Sequence, residues 1–355
     1  TGAASLNSTL AVSGDADITG DVTVTGAAAL NDTLTVTKAA TMSSTLAVAG
    51  ATDITGDVSI TGDLSLGGNF NMGGNFTLSG PTTLNDTLTV AKATTLNSTL
   101  AVAETADISG AVTVDGVTTM NSTLNVAKAA TMSSTLAVVG ATDLTGDLTL
   151  TGAAALNDTL TVTKAATMSS TLAVVGAADI TGDFTLTGAA ALTDTLAVTK
   201  AATMNSTLAV VGATDLTGDL TLTGAAALND SLTVTKAATL NSTLAVSGAA
   251  DITGDLTLTG SATLTDSLTL TKAATLNSTL DVVGATAITG DVTVTGVTSL
   301  NSTLAVTKAA TLSSTLAVTG DTNITGDLTL TGAASLNDTL TVTKAATMSS
   351  TLAVD

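Results

Sequence analysis

The chain is written almost entirely in one hexad, and that repeat limits what it can fold into. Residues 141–176 read ATDLTG, DLTLTG, AAALND, TLTVTK, AATMSS and TLAVVG. The second place of each hexad is apolar or small, and the fourth is Leu, Ile, Val or Met. The sixth is Gly, Asp, Ser or Lys. Along an extended segment places 2 and 4 point to one side, and places 1, 3 and 5 to the other. Turn residues at the sixth place close each segment, with Gly expected there for the positive φ a corner can demand. Each hexad thus reads as one short strand and a corner.

The number of hexads per turn follows from an irregularity. The second place alternates between large and small, as in TLTVTK followed by AATMSS, which gives a period of 12. The corner residues extend the full unit to 36, since Lys128, Lys164, Lys200, Lys236, Lys272, Lys308 and Lys344 are each 36 apart. Turns of two, three or six hexads all fit this pattern. Residues 63–80 (DLSLGG, NFNMGG, NFTLSG) are an insertion of 18, so that Lys38 and Lys92 lie 54 apart. With 18 residues per turn the insertion adds one whole turn and later columns stay aligned. With 12 or 36 it would move every later column to a different face. The expected fold is all-β: a three-sided parallel β-solenoid (β-helix) of about 18 residues per coil, built from three hexads, with about 19–20 coils. Residues 1–355 are expected to form a single continuous solenoid of 36-residue, two-coil repeats, with one extra coil at 63–80. An odd number of faces also sets each large second-place residue over a small one, which fills a narrow core. The same spacing brings Lys128 beside Asp147, and Lys164, Lys200, Lys236, Lys272 and Lys308 each beside the aspartate 19 residues on. These are read as corner ion pairs that help to fix register.

Composition narrows the chemistry. There is no Cys and no His, so thiolate sites, disulfides and the commonest general base are all missing. All nine basic residues are Lys against 29 acids, for a net charge of -20. A chain this acidic repels nucleic acid and anionic lipid. It has no apolar run long enough to span a bilayer, so no membrane insertion is expected. Aromatics are 1% of residues, which suits a thin aliphatic core better than a wide globular one.

The hexad pattern resembles that of left-handed hexapeptide β-helices, and steps such as Gly146-Asp147-Leu148 are similar to those of bactofilin-like three-sided helices. The Thr-, Leu-, Gly- and Asn-rich repetition resembles the shafts of phage and large-virus fibres and of bacterial surface fibres. The resemblance implies a structural or self-assembling role. Hexapeptide acyltransferases carry a catalytic His that this chain lacks.

Several constellations carry other chemistry. The paired acids Asp53 and Asp57, Asp143 and Asp147, and Asp215 and Asp219 have the form used by glycoside-cleaving enzymes. They recur with the repeat, whereas catalysis needs one specialised cleft, so no enzyme activity and no catalytic residue is expected. Asp32, Asp86 and Asp158, with Glu104 in the same column, offer hard oxygen ligands to calcium at one corner. No other cofactor is implied. The sequons at Asn7, Asn31, Asn97, Asn157, Asn241 and Asn277 would decorate corners. Outward threonines suggest ice binding, but TLTVTK alternates with ATDITG, which interrupts their stacking. One face alternates AAALND with TLAVVG and presents Ala153, Ala155, Ala173, Val175, Ala209 and Val211. Outward Ala and Val in a continuous strip predict a contact surface between copies of the chain. No capping segment interrupts the repeat at either end, which adds end-to-end stacking, or a longer parent rod, to the expectations. The function expected is a rigid extracellular, cell-surface or virion-associated fibre formed by self-association. The alternative is the stalk of an adhesin or tail fibre whose receptor-binding head lies outside this sequence.

Overall fold

The computed structural model describes residues 3–355. Among these the chain forms 59 strands of three residues and no helix. Strands pair in parallel with the strand one turn away, 18 residues along, so that Leu148 lies between Ala130 and Ala166. Two compact units are formed, Thr1–Ile180 and Thr181–Asp355. At 18 residues per turn the first has ten turns and the second slightly fewer. Within each unit three parallel sheets run around the core, one for each hexad of the turn.

The ladder follows from the hexad. The second-place N–H donates to a first-place carbonyl one turn on, as from Leu148 to Ala165 at 2.9 Å. The fifth-place N–H donates to a fourth-place carbonyl one turn back, as from Thr151 to Met132 at 2.9 Å. The first-place N–H takes no part in this ladder. Pro81, the one proline, occupies a first place and so removes no ladder bond.

Within a strand the outer two residues are buried and the middle one faces out, as in Leu148–Leu150. Leu160, Val162 and Ala178 are 0% exposed. The columns stack large on small as expected: Leu136, Ala154 and Leu172 follow one another in the first unit. Leu208, Ala226 and Leu244 do so in the second.

The inserted turn departs from this rule. Leu64, Phe70 and Phe76 are all large, so Leu46 stacks on Leu64, Val58 on Phe76 and Phe70 on Leu88. The Phe70 and Phe76 rings meet edge to face, with centroids 5.3 Å apart. Crowding spreads the backbone. Ladder bonds from Phe70, Phe76 and Ala91 lengthen to 3.3, 3.4 and 3.5 Å. Register nevertheless survives, with Leu64 paired to both Leu46 and Thr82.

Among the described residues, nine inward threonines, Thr142 and Thr214 included, bury a hydroxyl that meets no hydrogen-bond partner. They stand at small second places where other repeats have Ala. An unmet buried hydroxyl costs about 1–3 kcal/mol. Thr142→Val keeps the shape and removes that group. It is expected to raise unfolding stability by about 1 kcal/mol in a denaturant titration, and a loss of stability would show that the hydroxyl is satisfied after all.

The corners correct two expectations. Gly146 does not adopt a left-handed φ, and neither do Gly56, Gly218 and Gly254. Glycine is needed for closeness instead: a Cβ on Gly146 would lie 2.2 Å from the carbonyl carbon of Lys128 in the turn below. Likewise the expected Lys–Asp ion pairs are not formed among the described residues. The Asp147 carboxylate accepts from the N–H of Ala165, one turn on, at 3.1 Å, and Asp219, Asp255 and Asp291 accept from Ala237, Ala273 and Ala309 at 3.0 Å. This is the first-place N–H that the ladder leaves over. A fixed backbone donor directly in line competes well against an exposed lysine, which must give up side-chain freedom to pair.

Candidate functional surfaces

Three kinds of outward face result, one from each hexad of the turn. The alanine face is formed by strands such as Leu136–Val138, Ala154–Leu156 and Leu172–Val174. Its middle column runs Ala137, Ala155, Ala173 in the first unit. In the second it runs Ala191, Ala209, Ala227, Ala245. Ala153, Ala155, Ala173 and Val175 are thus brought together on one face of the first unit, and Ala209 and Val211 on the corresponding face of the second. Valines flank the column: Val139, Val175, Val211 and Val283 are each 50–55% exposed. In the second unit a shallow depression of about 350 Å³ lies on this face, over Ala209, Ala227 and Ala245. The alanine column ends where Thr263 and Asp281 enter it.

The aspartate face is formed by strands such as Leu124–Val126, Thr142–Leu144 and Leu160–Val162. Its aspartates are separated by Asn, Thr or Ala, which keeps like charges at least two turns, or about 10 Å, apart. Asn125 donates to Asp107 at 2.6 Å and Asn71 to Asp53 at 2.8 Å. The acid pairs read from the sequence are divided. Asp143 projects from the aspartate face, whereas Asp147 is turned to the Ala165 N–H. Nor do the corner acids converge. Asp32, Asp86 and Asp158 are each several turns apart, with only Glu104 adjacent to Asp86, and they accept from the following N–H groups of Thr33, Thr87 and Thr159. Among the described residues no group of three or more acids could hold a metal ion. Sharing a column does not bring these acids together, because they are spaced along it.

Two exposed carboxyls are shifted. The Thr33 hydroxyl, helped by the Thr33 N–H, holds Asp15 below the usual carboxylate range. The Thr339 hydroxyl does the same for Asp321. Both bonds favour the charged form, so their contribution is present above the ordinary carboxylate pKa and is lost as pH falls through the lowered value. The six sequon asparagines named above are all exposed.

The threonine face is the one that sequence reasoning missed. It is formed by strands such as Ala130–Met132, Leu148–Leu150 and Ala166–Met168. Every turn places a hydroxyl in its middle column. In the first unit Thr77, Thr95, Thr113, Thr131, Thr149 and Thr167 are consecutive and exposed. The signal was present, since DLTLTG and AATMSS both have Thr at the third place and stand 18 apart. TLTVTK and ATDITG, whose outward residues alternate between Thr and Asp, lie on the aspartate face instead. Comparison of the chain with family models, with curated proteins and with solved structures finds no match.

Proposed function

We propose that this β-solenoid is a structural repeat protein that self-associates through its alanine face into a rigid fibre or filament outside the cell or on a virion. The distribution of exposed large apolar side chains carries this reading. Val117, Val139, Val175, Val211, Val283 and Val297 all lie along the alanine face, while the other exposed ones, Leu6, Met348 and Val354, belong to the first and last described turns. Charge supports the same surface. At -20 overall, copies repel one another. The column from Ala137 to Ala173, and that from Ala191 to Ala245, carries no charge, so contact there brings together small apolar groups without burying a carboxylate. The exterior location rests on the resemblance of the repeats to fibre shafts.

The double variant Val175→Lys, Val211→Lys tests it. In sedimentation and negative-stain imaging the native chain should assemble as concentration rises. The variant should need at least about tenfold more protein, the equivalent of about 1.4 kcal/mol, with its strand content unchanged by circular dichroism. A native chain that stays monomeric, or a variant that assembles like the native, would remove the alanine face as the contact and leave the stalk reading.

A further inference from the structure

The threonine face carries a property that a fibre contact does not explain. In the second unit its middle column is threonine at every turn, from Thr185 through Thr203 and Thr221 to Thr347. In the first unit it is threonine or serine throughout, with Ser59 between Thr41 and Thr77. Each residue is exposed or half-exposed. Among the described residues none of these hydroxyls is hydrogen-bonded to another protein group, whereas corner threonines such as Thr163, Thr235 and Thr295 are.

Two further features shape the surface. A second rank, at the fifth place, supplies Thr151 and Ser169 beside Thr149 and Thr167, and Thr223 and Thr259 beside Thr221 and Thr257. The acids along the other edge, Asp147, Asp219 and Asp255 among them, are engaged by the backbone N–H groups of Ala165, Ala237 and Ala273. The middle column is therefore a charge-free array in which one free hydroxyl and, except at Ser5 and Ser59, one methyl recur every strand spacing, about 4.8 Å. In the first unit it extends over ten turns, roughly 43 Å.

Such an array is poorly suited to a small ligand, because it is not concave and every rung is the same. It suits a ligand that is itself periodic, uncharged and able both to donate and to accept hydrogen bonds. A rung spacing of about 4.8 Å is close to the oxygen repeat along the a axis of hexagonal ice. Hydroxyls can hydrogen-bond waters at that interval, while the methyls between them favour an ordered water layer over a disordered one. Because strand pairing is in register, the interval is the same at every rung, so that weak contacts recur along the column and add. We infer that the threonine face binds the surface of ice crystals. The inference does not rest on self-association through the alanine face.

The test uses the whole chain in a nanolitre osmometer, with ice as the probe. The native protein should hold freezing below melting and give faceted crystals. Thr149→Lys, Thr167→Lys, Thr221→Lys and Thr239→Lys combined should remove at least half of that gap. Ala155→Lys with Ala209→Lys, on the other face, should leave it intact even if assembly is lost. Circular dichroism establishes that both variants keep their strands; should the fourfold variant unfold, Thr149→Lys with Thr221→Lys replaces it under the same expectation. Rounded crystals with no gap for the native chain at millimolar concentration overturn the inference, and so does an equal loss in the alanine-face variant.

Discussion

Deleting residues 63–80 should leave the unfolding transition at or above that of the parent, whereas deleting only 69–80 should lower it. The longer deletion removes one whole turn. It sets Leu46 against Thr82, Thr52 against Leu88 and Val58 against Thr94, each large on small, and it takes out the stacks that lengthen the ladder around Phe70 and Phe76. The lost nearest-neighbour term is offset by relief of overpacking, about 1–3 kcal/mol. The shorter deletion removes two thirds of a turn. Thr82 would then follow Thr52, which leaves a gap, and Leu88 would follow Val58, which crowds. The combined cost is about 2–5 kcal/mol. It also turns everything downstream by one face, so that the column through Ser59 would continue into Thr89 and Asp107. Denaturant titration of the two deletions decides the matter: a benign 69–80 deletion beside a damaging 63–80 deletion is incompatible with three hexads per turn.

Leu244→Ala and Leu64→Ala should differ sharply although the chemical change is the same. Leu244 is stacked between Ala226 and Ala262 and is 4% exposed. Truncation there leaves three small residues in succession and a void that a rigid ladder cannot close, at about 2–5 kcal/mol. Leu64 is 1% exposed but is stacked on Leu46, in the crowded turn. Its truncation relieves overpacking as it forfeits buried area, and the net cost should be below about 1 kcal/mol. Chemical unfolding of the two variants measures the difference. Equal losses would show that the alternation of large and small is not what packs this core.

These contrasts separate what the sequence determines from what only the folded chain decides. Spacing alone sets the turn. The 18-residue insertion at 63–80 and the alternation of TLTVTK with AATMSS lead to three sheets, the i to i+18 register and the large-on-small columns. The alanine face was equally legible, since membership of a column is a matter of counting. Direction was not. Whether Asp147 turns to a lysine or to the Ala165 N–H depends on which backbone donor the ladder leaves unused, and that appears only once the ladder exists. The need for Gly146 comes from the Lys128 carbonyl of the turn below rather than from its own φ. The stranded hydroxyls of Thr142 and Thr214 depend on what surrounds them in the core. Local spacing encodes which residues share a column, because strand pairing is periodic. It does not encode where a short polar side chain finds its partner, because that is fixed by backbone groups a full turn away in the chain.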